Sequence, residues 1–459
     1  MRAVRTALLL TGVLVMLASA ASQPAAATRS LQVAPAPPTT WEGVLGATAE
    51  LRGHVPLAEI PRVLLSREQL QARVVEQLAR DPAPQRLADS AKLFTALGLL
   101  DRGADLRGLV LQFRGNLVLG QYDTESKQLF VVTGASNLGP LERVTAAHEY
   151  THALQDQYFD LQRLRPRNAP DADRSLAVAS LVEADATLVA ERYANGVLTA
   201  AEREERRRQV RDLYREVDLD SIPLVVREQS YFPYTEGVRF LRQVLGDEAL
   251  RGEGEGYGPA VDRLFADPPQ STAQILHPER YQRHQAPVAV RLDNYAATLG
   301  DGWRESRRGV LGELDHRLIL QQYVDAAVAA RAAEGWAGSS YAQYESDRGE
   351  VAVVVRTRWD SPAEAAAWQD AYTQAAQRRY GDGLVAEPAP AGQRLWRTPD
   401  GALLLGGDGA ETVLAVAPTA AQAAGLAAPA PTPPLGLLPA VGGPALSYTS
   451  PSRAAALVP

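Results

Sequence analysis

The stretch AAHEYTHALQDQ, from Ala146 to Gln157, places two of the chain's six histidines four residues apart. Positions i and i+4 lie on one face of a helix, with side-chain bases about 5–6 Å apart. His148 and His152 can therefore direct ring nitrogens at one ion, because a zinc–nitrogen bond is about 2.0–2.1 Å long. Glu149 lies one step round the helix, where a general base for an activated water has to be. The stretch predicts a metal centre, and the alternative is an ordinary helix with a polar patch.

Two short strands are predicted just before this helix, over Asn116–Tyr122 and Lys127–Val132, and Gly139–Pro140 is typical of a helix start. A second helix is predicted over Arg174–Asn195. With an HExxH helix behind a strand pair, the sequence resembles the zincin metallopeptidases. In the metzincin branch a glycine follows three residues after the second histidine, and a methionine turn lies beneath. Gln155 occupies the place of that glycine, and both methionines of the chain lie in its first sixteen residues. The metzincin branch is therefore excluded.

The resemblance is to the gluzincin type, and it extends to uncharacterised bacterial proteins that carry HEYTH. Gluzincins take their third zinc ligand from a glutamate on the following helix, which implies Glu183 in SLVEADA. A carboxylate in so apolar a helix is costly without a partner, and zinc is an adequate partner. The alternative is a buried glutamate paired with an arginine. Glu191 and Glu202 are weaker candidates, because their helix stretches are more polar.

Thermolysin-like enzymes have an aspartate four residues after the second histidine, and here that place holds Asp156. Such a carboxylate can orient a ligand imidazole through its far nitrogen, and Asp185 is another candidate for this task. Thermolysin-like enzymes also have an aspartate four residues after the ligand glutamate. Thr187 stands there instead, so the likeness to thermolysin is distant.

The resemblance also implies a catalytic donor for the oxyanion, which gluzincins commonly take from a tyrosine or histidine further along the chain. The candidates are Tyr231, Tyr234 and His277. The sequence predicts that Tyr231–Leu245 is a loop leading into a helix. Near the C-terminus, strands over residues 350–357, 393–397, 402–407 and 411–418 and a helix starting at Ser361 predict a β-α-β-β-β unit.

The fold class predicted for the chain is α+β. A zincin-like domain, made of a small sheet, the active-site helix and a helical lobe, is followed by a small α+β domain. The predicted divisions are a signal peptide (1–27), a Pro/Ala-rich linker (28–55), the zincin-like domain (56–335), the small α+β domain (336–428) and a disordered Pro/Ala-rich tail (429–459).

The composition of the chain excludes some classes of catalytic site and gives no support to others. The chain has no cysteine, which excludes thiol catalysis and cysteine-based zinc sites. Its formal net charge of -7 gives no reason to expect nucleic acid. The basic and then apolar start predicts export and no stable membrane insertion after cleavage, with an uncleaved anchor as the alternative.

Together these features predict a secreted or extracytoplasmic Zn²⁺ metallopeptidase acting on peptide or protein substrates, with Glu149 as general base. Two other functions stay open. One is a non-catalytic binding protein on a zincin scaffold, and the other is a zinc hydrolase of a non-peptide bond.

Overall fold

The computed structural model describes residues 39–428, apart from 80–82, 133–137, 165–170, 216–217, 255 and 391. The predicted signal peptide and the predicted C-terminal tail lie outside the described residues. Within them the fold is mixed α and β, as predicted.

The helices and strands follow one another in the described part of the chain, together with 3-10 turns at Leu219–Ser221 and Gly381–Gly383. The helices are α1 (Trp41–Arg52), α2 (Arg67–Ala79), α3 (Ala83–Ala96), α4 (Leu106–Leu117), α5 (Pro140–Phe159), α6 (Leu161–Leu164), α7 (Ala172–Gly196), α8 (Ala200–Arg215), α9 (Leu224–Arg251), α10 (Tyr257–Ala266), α11 (Thr272–Leu276), α12 (Pro278–Gln282), α13 (Ala296–Leu299), α14 (Glu313–Gln321), α15 (Ala326–Ala333), α16 (Pro362–Tyr380) and α17 (Ala420–Ala427). The strands are β1 (Arg62–Leu65), β2 (Gly120–Asp123), β3 (Gln128–Val132), β4 (Trp303–Gly309), β5 (Trp336–Ser346), β6 (Val351–Trp359), β7 (Val385–Glu387), β8 (Arg394–Thr398), β9 (Gly401–Asp408) and β10 (Glu411–Ala417).

A small sheet with the order β1-β3-β2 lies against α5. β2 and β3 form the predicted antiparallel pair, and β1 adds a parallel strand. The strand β2 is shorter than the strand predicted over Asn116–Tyr122, because the chain is helical up to Leu117. Tyr122, Leu129, Tyr150 and Leu154 belong to the apolar cluster that joins this sheet to α5. The packing places the outer edge of β2 beside the HExxH helix.

The helix α5 begins as the sequence predicts, with extended Gly139 at its N-cap and Pro140 in its first turn. α7 packs against both α5 and α9. Its N-cap is Asp171, whose side chain accepts a hydrogen bond from the amide of Arg174. None of the helices in the described part of the chain has the length and hydropathy that crossing a membrane requires.

The loop predicted at the start of Tyr231–Leu245 is instead helical. α9 passes through Pro233 without a break and kinks only at Gly246. Proline costs a helix one hydrogen bond, but packing against α7 outweighs that loss. At Gly237 a Cβ would lie 2.6 Å from the carbonyl oxygen of Ser180, so a glycine is needed for this close approach.

The predicted linker over residues 28–55 is wrong for residues 41–52, which form α1. Thr40 caps the helix by accepting a hydrogen bond from the amide of Gly43. Val44 and Arg52 are buried, and the helix packs against α5 and α7. A Pro/Ala-rich composition averaged over 28 residues hid this short capped helix.

A seven-stranded antiparallel sheet forms the C-terminal part, with the order β4-β5-β6-β10-β9-β8-β7. The predicted helix and strands of this region are present, with Ser361 as the N-cap of α16. The predicted boundary at residue 336 is wrong, because β4 precedes it and pairs with β5. One apolar cluster also runs from α7 and α9 into this sheet, so the two regions share a core.

Candidate metal centre

Three side chains converge between α5 and α7. Nε2 of His148 and Nε2 of His152 each lie 3.3 Å from Oε2 of Glu183, and the two nitrogens lie 3.1 Å apart. A tetrahedral ion with bonds of about 2.0–2.1 Å holds its ligand atoms about 3.3 Å from each other. The triangle therefore has the size that a zinc ion needs. Among the described residues, these are the three His, Asp or Glu side chains whose ligand atoms lie close enough together to hold one metal ion.

The electrostatics of this group favour a cation. Both histidines and Glu183 are buried. Burial opposes ionisation of Glu183, but the adjacent His152 and His148 lower its pKa to about 2. Burial likewise opposes protonation of His152, but Glu183 raises its pKa to about 9. One carboxylate oxygen of Glu183 has no hydrogen-bond partner among the described residues, although it is buried. A bound cation would satisfy that carboxylate.

Glu149 lies beside the three ligands and is fully buried. Its Oε2 accepts a hydrogen bond of 2.6 Å from the amide of Tyr122 in the edge strand β2. Its Oε1 is buried without a partner in the described structure. Burial raises the pKa of Glu149, and the two histidines oppose this shift. The carboxylate is thus held at one oxygen and left available at the other.

The approach of β2 to α5 depends on Gly120. A Cβ at this position would lie 2.8 Å from Cγ2 of Thr145 and 3.0 Å from Cγ of Glu149. Real side chains do not make contacts this short, so the glycine allows the strand to reach the helix. The amide of Tyr122 reaches Glu149 because of this contact.

A buried polar network lies behind His152. Its Nδ1 is 2.8 Å from Oε1 of Gln155. Gln155 in turn contacts Asp185, which is bound by Arg52 and by the hydroxyl of Tyr257. Asp185 therefore reaches the ligand histidine through Gln155, which is an indirect form of the role predicted for it. The sequence analysis missed Gln155 and Arg52.

Asp156 does not have the role predicted for it. Its Oδ2 accepts hydrogen bonds from the hydroxyl of Tyr122 at 2.8 Å and from Nζ of Lys127 at 2.6 Å. Its Oδ1 accepts from the amide of Leu161. The helix turns this carboxylate towards the β2–β3 hairpin, so it fixes the hairpin to α5. The residue that contacts Nδ1 of His152 is Gln155, one position earlier.

Of the two tyrosines predicted as oxyanion donors, Tyr234 is near the centre. Its ring lies 6.3 Å from that of His148, centroid to centroid, and it is buried. The described contact of Tyr231 is a hydrogen bond between its hydroxyl and that of Tyr214. Of the two tyrosines, Tyr234 is thus the one with a described contact to the candidate metal ligands.

His277 belongs to a different polar cluster. Its Nε2 lies 2.7 Å from Oε1 of Glu313 at the start of α14. Burial raises the pKa of Glu313 to about 7, against the effect of His277. The described contacts of His277 thus place it with α14, and not with the metal ligands.

A comparison with known families matches the C-terminal part of the chain. The model of a family described as a domain of unknown function (DUF8575) matches residues 293–427. This stretch contains the seven-stranded sheet with α13 to α17 and none of the residues of the metal centre. No curated protein and no solved structure gives a significant match.

Proposed function

We propose that this protein is an exported zinc-dependent metallopeptidase of the gluzincin type on a zincin-like fold. The observation that supports the proposal is the buried triangle of His148, His152 and Glu183, with Glu149 beside it. A purely structural zinc site has four protein ligands, whereas a catalytic site has three and leaves a position for water. The triangle has three, and the adjacent carboxylate is what hydrolysis requires.

The ion would be held by His148, His152 and Glu183, and it would supply Lewis-acid chemistry that lowers the pKa of a water molecule. Glu149 would take a proton from the water whose oxygen attacks the peptide carbonyl carbon, and would pass it to the amine that leaves as the C–N bond breaks. Its amide contact with Tyr122 fixes the carboxylate while its other oxygen receives the proton. Tyr234 would be the donor to the oxyanion, because its ring lies 6.3 Å from that of His148.

The first experiment measures zinc per chain in the purified mature protein by elemental mass spectrometry. We expect about one zinc per chain, because the three ligands are arranged for one ion. If the protein takes up no zinc at neutral pH, even after incubation with zinc, the proposed metal centre and the peptidase function that depends on it are both contradicted.

The second experiment measures casein and peptide cleavage by Glu149→Gln. We expect a loss of about 10²- to 10⁴-fold or more with zinc content unchanged, because the general base is removed and the ligands remain. Glu142→Gln, in the first turn of the same helix, is the matched control and should cleave normally. If zinc is bound but no peptide of a broad panel is cleaved, a binding protein or a hydrolase of another bond is the better conclusion.

A further inference from the structure

The amide of Gln155 has only one possible orientation. Its Nε2 lies 3.0 Å from the carbonyl oxygen of Val182 and 2.8 Å from Oδ2 of Asp185. A carbonyl oxygen and a carboxylate only accept hydrogen bonds, so the NH₂ group must face them. The oxygen of the amide is therefore on the side of His152, where it lies 2.8 Å from Nδ1.

This orientation determines which nitrogen carries the proton in the neutral ring of His152. An amide oxygen only accepts, so Nδ1 of His152 must be the donor of this hydrogen bond. Nε2 then has its lone pair free in the neutral ring, and it is the atom that faces His148 and Glu183. A metal-binding histidine needs this tautomer, which its partner at the far nitrogen sets.

The amide is itself held by a rigid set of buried groups. Oδ2 of Asp185 also accepts from Nε of Arg52 at 2.8 Å, and Oδ1 accepts from the hydroxyl of Tyr257 at 2.8 Å. Asp185, Arg52 and Tyr257 are all buried. A buried carboxylate paired in this way has little freedom to turn, because breaking any contact leaves an unsatisfied charge. The network joins α1, α5, α7 and α10 behind one ligand.

We infer that Gln155 is a positioning residue of the metal centre: its amide, anchored on Val182 and Asp185, fixes the tautomer and the ring orientation of ligand His152. The inference rests on the metal centre of the proposed function and does not depend on which bond the protein cleaves. Gln155 takes the place that a carboxylate usually has behind a ligand histidine. As a neutral group it adds no further buried charge next to Asp185.

The test compares Gln155→Leu with Gln157→Leu. Both residues are glutamines of α5, but the amide of Gln157 binds the exposed backbone of Leu57 and Ala58. Zinc affinity is measured by competition with a chelator at neutral pH. We expect Gln155→Leu to bind zinc about 10- to 100-fold more weakly, which is the usual effect of removing such a partner. Gln157→Leu should stay within about twofold of the natural protein.

A second measurement separates positioning from a general loss of packing. The visible absorption of the cobalt(II)-loaded protein reports the ligand geometry directly. We expect altered bands in Gln155→Leu and unchanged bands in Gln157→Leu, with the metal-free proteins melting as single transitions. If Gln155→Leu does not fold, Gln155→Asn takes its place, because the shorter side chain cannot reach both His152 and Asp185.

Wild-type zinc affinity and an unchanged cobalt spectrum in the Gln155 variant would overturn the inference, whatever the protein cleaves. Weaker zinc binding in that variant, together with no peptidase activity in the natural protein, would support the inference and contradict the proposed function. The two failures are therefore distinguishable.

Discussion

The contact between α5 and α7 and the interior of the seven-stranded sheet are both buried, but they bury opposite kinds of side chain. Between α5 and α7 lie His148, His152, Glu149, Glu183 and Asp185. The strands of the sheet instead bury mainly aliphatic and aromatic residues, and their few buried polar side chains are neutral. Apolar burial stabilises a fold, whereas a cluster of buried ionisable groups costs free energy that pairing only partly offsets. The comparison indicates that the sheet contributes mainly to stability, whereas the helix pair holds the groups on which the proposed function depends.

The largest expected effect comes from the helix pair. Glu183→Gln should weaken zinc binding by about 10³-fold or more, because a direct ligand matters more than the outer partners, whose loss costs 10- to 100-fold. Isothermal titration with zinc measures this. The control is Glu191→Gln, two turns later on the same helix, where the carboxylate pairs with Arg242 at the surface. Equal zinc affinity in the two variants would contradict the assignment of Glu183 as a metal ligand. The contrast between the helix pair and the sheet would then lose its basis.

Substitution in the sheet region should affect stability and leave zinc binding unchanged. Trp368 is buried between Trp359 and Tyr372. Trp368→Ala should lower the free energy of unfolding by about 3–5 kcal/mol, because it leaves a large cavity. Chemical denaturation measures the loss, and zinc titration of the folded fraction should give the natural affinity. A smaller loss is expected for Trp368→Phe, since the indole nitrogen has no partner in the described structure.

A buried histidine near the sheet should make stability depend on pH. Nδ1 of His316 donates to the carbonyl oxygen of Gly312, and Nε2 accepts from Thr357. Burial lowers the pKa of His316 from 6.5 to about 4, although the Gly312 contact opposes the shift. Between those values the unfolded chain binds more protons, so this contribution is present above pH 6.5 and is lost as pH falls towards 4.

The size of this contribution follows from comparing the natural protein with His316→Gln. The difference in their free energies of unfolding should fall by about 3 kcal/mol between pH 6.5 and pH 4. Taking the difference between the two proteins separates the effect of His316 from that of Glu313 and Asp315. The raised pKa values of these two carboxyl groups change the free energy of unfolding with pH in the opposite direction. Urea denaturation across this range measures it. His284→Gln, at an exposed position, should give a curve parallel to that of the natural protein; a parallel curve for His316→Gln would contradict the prediction.

The smallest expected effect concerns a helix cap on the sheet side. The side chain of Ser361 accepts a hydrogen bond from the amide of Glu364 at the start of α16. Ser361→Ala should cost about 1 kcal/mol of stability, since one amide of the first turn loses its partner. Thermal denaturation measures this. Ser361→Asp retains the acceptor and should restore stability, so a loss in both variants would show that the cap is not the cause.

Local sequence patterns predicted the parts of the site that depend on spacing alone. The i and i+4 relation placed His148 and His152 on one face, and an isolated carboxylate in an apolar helix indicated Glu183. The sequence does not reveal the role of Gln155, because the partner of a ligand histidine is usually a carboxylate and Asp156 stands at the spacing expected for one. Which neighbouring side chain reaches a ring nitrogen depends on the exact rotation of the helix against its neighbours.

Long-range packing explains the other errors. Pro233 suggested a loop, but contact between α9 and α7 maintains the helix through it. Composition suggested a linker before residue 55, but α1 is held in place by Arg52, whose partners are distant in sequence. The edge strand β4 was missed for the same reason, since its pairing with β5 is not visible in either segment alone.

The position of Arg52 determines when the polar network behind His152 can be completed. Arg52 binds Asp185 and Asp262, which lie 133 and 210 residues further along the chain. During synthesis α1 is made early, but its partners emerge only after most of the ligand-bearing region. The network behind His152 therefore cannot close before residue 262 has left the ribosome. The helix α1 is thus made long before the contacts that hold Arg52 in this network can form.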